Sequence, residues 1–302
     1  MGTIPQTRRN TATGAVSWRA LAPVAALALF LFPLPAAQPN TDVREIVRRS
    51  LQFDTLFEMF DFVPPRDYLC LEEYAGHSMD ANGQPGPAVF ADTYEVIRLY
   101  DETFERLIRR NGRELSPDKA RAEQARFDTA VGKRAHETPE ARAKRLNAER
   151  KSQAERDVCR DEFLRTFDFQ MAGTEVIGGR PAWVVEVNPL PHTAPHCADL
   201  RTFTRFRFKV WIDQTESRWA RFEGDNIAPV AFGIILARAP AGGLHFTFEQ
   251  TRYGDGAWLH SRDQYKINAR MLLAHFPLEM TVTYTGCRKF HADSRIVSAD
   301  DQ

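Results

Sequence analysis

The sequence predicts an α+β protein that is mainly β, built as an antiparallel barrel or strongly curved sheet with an N-terminal helix and an inserted charged helical hairpin. Three observations predict this fold. The segment 41–61 is amphipathic at helical spacing, and the segment 116–166 is dense in charged residues. On both sides of the charged segment, short apolar runs alternate with turn residues, a pattern typical of antiparallel sheets.

The N-terminus reads as an export signal. Three arginines precede an uncharged apolar run at 20–32, and prolines and small residues follow at 33–37. These parts predict a signal peptide at 1–37 and a single domain at 38–302. The apolar run is shorter than the roughly 20 residues of a membrane-spanning helix, although an uncleaved N-terminal anchor is the alternative. The first cysteine, Cys70, lies far beyond the run, so no lipid anchor is predicted.

Composition narrows the function classes. The chain has 40 basic and 40 acidic residues, and removal of the signal leaves 37 basic residues, a balance of about −3 that argues against nucleic acid as a partner. The 21 phenylalanines indicate a large apolar interior or a lined cavity. The cysteines fit an oxidising compartment, with two bridges in any of three pairings or with unpaired thiols. They are Cys70, Cys159, Cys197 and Cys287.

The first half of the predicted domain begins with a helix. Val43, Ile46, Val47 and Leu51 recur at helical spacing over 41–61, and Thr41 or Asp42 precedes them as an N-cap. Three strands then follow, through 68–71, 93–97 and 104–108. The dipeptides Asn82-Gly83 and Asn111-Gly112 mark their turns.

The segment 116–166 predicts two helices. Ser116-Pro117-Asp118 and Thr138-Pro139-Glu140 each combine an N-cap, a proline at the first helical position and an acid in the first turn. Few apolar residues lie between many charges, which is typical of a solvated helical hairpin with ion pairs along its faces. A partner-docking arm is the alternative.

A second series of strands begins at Phe167. Phe206, Phe208, Val210 and Ile212 alternate with Arg205, Arg207, Lys209 and Trp211, as in a half-buried strand. Leu244, Phe246 and Phe248 share one face of a later strand. Alternation of this kind fits a solid core as well as a hollow one.

No catalytic motif stands out, so the chain is predicted not to be an enzyme and to need no cofactor. The one cluster with metal-ligand chemistry is His192, His196 and Cys197 in a proline-rich loop. It lacks a clear fourth ligand, so surface histidines are the favoured interpretation and no metal is predicted.

Two strand motifs carry a family resemblance. Gly178-Gly179-Arg180-Pro181-Ala182-Trp183 opens one strand, and Trp211-Ile212-Asp213-Gln214-Thr215 ends another. This pairing resembles bacterial outer-membrane lipoprotein-sorting proteins with the LolA/LolB-like fold, in an uncharacterised periplasmic branch. The resemblance covers roughly residues 41–298.

The resemblance implies an unclosed barrel whose concave side is covered by helices. It also implies a periplasmic protein, expected to be a monomer, that binds lipid or lipoprotein acyl chains in an apolar cavity and takes part in lipoprotein sorting. The alternative is an envelope sensor or interaction module that docks a partner protein through the charged hairpin. The candidate cavity residues are Phe206, Phe208, Val210, Ile212, Phe246 and Phe248.

Overall fold

The computed structural model describes residues 42–52, 68–80, 83–100, 102–232, 237–271 and 274–289. The predicted signal at 1–37 therefore lies outside the described residues. The elements of the described chain are α1 (Val43–Ser50), β1 (Tyr68–Met79), β2 (Pro85–Leu99), β3 (Glu102–Arg110), β4 (Arg113–Glu114), α2 (Pro117–Ala135), α3 (Pro139–Thr166), β5 (Phe167–Ile177), β6 (Arg180–Pro189), α4 (Ala198–Phe203), β7 (Phe206–Asp213), β8 (Trp219–Asn226), β9 (Val230–Phe232), β10 (Ala237–Ala239), β11 (Leu244–Arg252), β12 (Trp258–Met271) and β13 (Ala274–Lys289).

A single antiparallel sheet contains all the described strands. Its order is β4-β3-β2-β1-β13-β12-β11-β8-β7-β6-β5, with β10 paired to β12 and β9 paired to β10. Within the described chain the end strands β4 and β5 do not pair with each other, so the sheet is unclosed. The predicted α+β fold with an unclosed antiparallel barrel is confirmed.

Tight turns connect neighbouring strands at the predicted places. Gly178 and Gly179 join β5 to β6, both with positive φ, a backbone conformation that favours glycine. Asn111 and Gly112 join β3 to β4 in the same way. Of the predicted turn between β1 and β2, Gly83 is described and Asn82 lies outside the described residues.

The N-terminal helix is shorter in its described part than the sequence predicts. It begins after Asp42, whose side chain accepts a hydrogen bond of 3.0 Å from the backbone N–H of Arg44. It ends at Ser50, and the predicted second half of the helix lies mostly outside the described residues. Ile46 and Val47 of α1 and the following Leu51 are buried against the sheet.

The charged hairpin forms as predicted and links the two ends of the strand order, since α2 follows β4 and α3 precedes β5. Pro117 and Pro139 begin the helices, and the Thr138 hydroxyl caps α3 by accepting from the backbone N–H of Ala141. Phe127 of α2 packs edge-to-face on Phe104 of β3, with ring centroids 6.2 Å apart. The hairpin is therefore attached to the sheet at both ends.

Two disulfides tie distant parts of the chain together. Cys70 of β1 bonds Cys287 of β13, and Cys159 of α3 bonds Cys197 at the start of α4. One of the three possible pairings thus occurs, and all four cysteines are oxidised. This state fits an oxidising compartment.

Candidate functional site

Five phenylalanines form a continuous layer across β7, β8 and β11, and we call this layer the phenylalanine face. The register places Phe222 opposite Phe248, and it places Gly224 opposite both Phe208 and Phe246. Neighbouring rings in the layer have centroids 5.1 to 6.5 Å apart. Its members are Phe206, Phe208, Phe222, Phe246 and Phe248, all buried.

Glycine permits the close packing of this layer. The Phe246 ring lies over Gly224, where a Cβ atom would come within 2.2 Å of the ring. Only a residue without a side chain lets the aromatic ring approach the strand this closely. The face is therefore dense at its centre.

Helices α1 and α4 cover the phenylalanine face. Ile46, Val47 and Leu51 belong to the same buried cluster as the five rings, together with Leu200 and Phe203 of α4. A cleft of about 150 Å³ remains at the edge of α1, between Ile46 and Trp183 of β6. Charged side chains of α1 and its N-cap also line this cleft: Asp42, Glu45 and Arg49.

The structure brings the candidate cavity residues together on this side of the sheet. Five of the six are buried, and Val210 is half-buried against the same cluster. Trp211, expected on the outward side of β7, is also buried, at 3% exposure. It packs on the opposite side of the sheet with Ala182 and Val184, and its Nε1 donates to Glu175.

In this structure, the histidines and cysteine of the proline-rich loop have structural roles rather than metal-binding ones. The sulfur of Cys197 forms the disulfide with Cys159, so it is not a thiolate ligand. Glu162 of α3 accepts hydrogen bonds from the backbone N–H groups of His196 and Cys197 at the start of α4. His192 lies at a turn with positive φ. No group of three metal-ligating side chains occurs in the described residues.

A cluster of polar side chains that no sequence motif predicted borders the phenylalanine face. We call it the polar cluster; its members are Glu72, Tyr74, His260, Asp263 and Tyr284. The Tyr284 hydroxyl donates to Asp263 Oδ2 at 2.7 Å, and the Tyr74 hydroxyl donates to Glu72 Oε2 at 3.0 Å. His260 Nδ1 lies 3.1 Å from Asp263 Oδ1.

The polar cluster is buried and acidic. Glu72 and Asp263 are 2% and 3% exposed, and no lysine or arginine of the described chain pairs with either carboxylate. Loss of solvation raises the pKa of Glu72 to about 8, against the hydrogen bond from Tyr74. The carboxylates of Glu105 and Asp263 raise it further.

Two further buried polar groups adjoin His260 and have no hydrogen-bond partner in the described structure. Gln250 lies directly opposite His260 in the β11–β12 register, and its Oε1 is unpaired. The Trp219 ring packs edge-to-face on His260 at 5.4 Å, and its Nε1–H is unpaired. Both side chains are more than nine-tenths buried. Such groups are rare in folded proteins because each costs free energy when unsatisfied.

A sequence signal for this cluster exists but is weak. Glu72 and Asp263 interrupt strands whose neighbours alternate as apolar and polar residues, and His260 follows the buried Leu259. Only the sheet order, which places β1, β13, β12 and β11 side by side, brings them together.

These features define an unclosed antiparallel barrel with an aromatic face covered by helices and a buried polar cluster beside it. No protein-family model matches the chain, and no curated protein matches it. Among the helices of the described residues, none combines the length and apolar character needed to cross a membrane.

The chain is similar to several solved structures, at low identity and low TM-score. A putative outer membrane lipoprotein-sorting protein domain from Vibrio parahaemolyticus shares 10% identity over 83% of this chain and 94% of that chain, with a TM-score of 0.34. A LolA superfamily protein from Nitrosomonas europaea shares 9% identity over 82% and 94%, with a TM-score of 0.28. A MucA/MucB complex from Pseudomonas aeruginosa shares 10% identity over 83% and 100%, with a TM-score of 0.25.

Proposed function

We propose that this protein is a non-enzymatic periplasmic binder of lipid or lipoprotein acyl chains, acting in outer-membrane lipoprotein sorting. The phenylalanine face beneath α1 is the observation that carries the proposal. Five aromatic rings form one apolar surface, and an open cleft lies along the short helix that covers it. The two disulfides support a location outside the cytoplasm.

The energetics allow an acyl chain to replace α1 on this surface. α1 and its C-cap bury Ile46, Val47 and Leu51, which contribute about 1.5–3 kcal/mol each. An acyl chain that buries ten methylenes gains about 8 kcal/mol, at about 0.8 kcal/mol per methylene. The two terms are of similar size, so the helix can give way to a chain. The cleft of about 150 Å³ holds only a benzene-sized group, so the full chain requires this displacement.

Titration of delipidated protein with dodecanol, followed by native mass spectrometry, tests the proposal. We expect saturable binding, and we expect Ile46→Ala to tighten it about tenfold because the competing helix is held less firmly. Arg48→Ala is the matched control, because Arg48 lies on the exposed side of the same helix. Absence of saturable binding to the folded protein would rule out the carrier.

A second candidate function is docking of an envelope protein through the charged hairpin. Only Phe127, Phe163 and Thr166 of its two helices are buried, and Val158 of α3 is 65% exposed. Deletion of the hairpin would remove buried phenylalanines, so a surface change is the better test. Val158→Asp should abolish capture of a cross-linked envelope partner, whereas Val176→Asp, at an equally exposed valine of β5, should not. Equal capture by both variants would exclude this role.

A further inference from the structure

We propose that the polar cluster, with Gln250 and Trp219, binds the head of the ligand and selects an amine. This inference rests on the proposed function, because the head is taken to belong to an amphiphile whose chain lies on the phenylalanine face. The two regions share a border: the ring centroids of Phe248 and His260 lie 6.5 Å apart. An apolar surface and a buried polar cluster are thus placed next to each other, as an amphiphile requires.

The hydrogen-bonding groups of the cluster favour a donor-rich ligand. The hydroxyls of Tyr74 and Tyr284 already donate to the two carboxylates. The unused hydrogen-bonding capacity of the cluster is mainly for accepting hydrogen bonds. It consists of further carboxylate lone pairs and the unpaired Oε1 of Gln250. An ammonium group offers three donors and no acceptor, so it satisfies these oxygens. The unpaired Nε1–H of Trp219 is left for an oxygen of the same ligand.

The negative charge of the polar cluster also favours an amine as the head of the ligand. Glu72 and Asp263 lie in a buried site without an arginine or lysine partner in the described chain, and Glu105 adds to the negative potential at Glu72. A buried carboxylate is stable in its charged form only when it is paired. A cationic head supplies that pairing, whereas a carboxylate or phosphate head is repelled.

Three probes with the same chain and different heads test the inference. Delipidated protein is titrated at pH 7 with dodecylamine, dodecanol and dodecanoate. We expect the amine to bind at least about tenfold more tightly than the alcohol, the ratio for one charge-assisted hydrogen bond, and the acid to bind most weakly. Equal affinities for the three probes would overturn the inference that the site selects an amine, but they would leave the proposal of acyl-chain binding standing. Binding of none of the three overturns both proposals.

Substitutions in the polar cluster test whether the amine head is selected there. Glu72→Gln should reduce the ratio of amine to alcohol affinity by about tenfold, because glutamine has nearly the same shape but cannot take the charged form that pairs with an ammonium group. Glu73→Gln is the matched control, since Glu73 is exposed and its side chain alternates to the other side of β1. Gln250→Leu should also lower the ratio, and it tests the site even if Glu72→Gln folds poorly. An unchanged ratio in both folded variants would place the amine elsewhere and overturn the inference.

Discussion

Arg180 and Asp213 form a two-point ion pair that joins the two motifs of the family resemblance. Arg180 Nε donates to Asp213 Oδ2 at 2.7 Å, and Arg180 Nη2 donates to Oδ1 at 3.0 Å. Asp213 is 1% exposed, and it also accepts from the backbone N–H groups of Thr215 and Glu216. The start of β6 and the β7–β8 turn are therefore fastened together, which gives a physical reason for both motifs.

The first prediction concerns this pair. Desolvation would raise the pKa of Asp213, but the hydrogen bonds from Arg180 and the two backbone groups outweigh it and lower the pKa. A lowered folded-state pKa means that the stabilisation is present above the ordinary value near 3.8 and is lost as pH falls below it. Asp213→Asn should cost about 2–3 kcal/mol of unfolding free energy at pH 7, measured in urea. A loss equally large at pH 3 would contradict this account.

The second prediction concerns Glu72. Its folded-state pKa of about 8 exceeds the ordinary value of 4.5, so the folded protein loses stability as pH rises from about 4.5 to 8. Glu72→Gln should remove this slope and increase the unfolding free energy by about 5 kcal/mol above pH 8. Urea unfolding at pH 5, 7 and 8.5 measures the effect, with the exposed Glu73→Gln as control. Parallel pH profiles of wild type and Glu72→Gln would contradict it.

The third prediction concerns Gly224 beneath Phe246. A methyl group there would lie 2.2 Å from the ring, so Gly224→Ala should displace Phe246 and cost about 2 kcal/mol. Gly132→Ala is a matched control in α2, where a Cβ meets no atom within 4 Å, and it should stabilise the protein by about 0.5–1 kcal/mol. Thermal unfolding measures both changes, and the same sign for the two variants would be inconsistent with the packing described.

The fourth prediction compares the disulfides. Cys70–Cys287 spans 217 residues and Cys159–Cys197 spans 38, so the first restricts the unfolded chain more. Loop-closure entropy assigns about 5 kcal/mol to the longer loop and about 4 kcal/mol to the shorter one. Double serine substitution of Cys70 and Cys287 should therefore destabilise more than that of Cys159 and Cys197, as measured in denaturant. The reverse order would show that native contacts around α3 and α4 outweigh chain entropy.

Local signals were sufficient for the two helices of the hairpin and for the turn between β5 and β6. At the starts of α2 and α3, the N-cap residue, the proline and the acidic residue that indicate a helix all lie within one helical turn. The glycines that indicate the turn between β5 and β6 lie within a segment of four residues. The short helix α4 was not predicted, because its six residues follow a loop rich in proline and histidine. Its N-terminus is held by Glu162, a residue 34 positions away.

The sequence by itself determined the alternation that makes an antiparallel sheet and the apolar side on which the phenylalanines lie, because both depend on residues a few positions apart. Only the tertiary structure decided which strands are neighbours, which cysteines pair, and that Glu72 meets Tyr284 and Asp263 across three strands. Contacts between residues about 200 positions apart depend on strand order. Strand order is decided by packing of the whole chain, which no local pattern encodes.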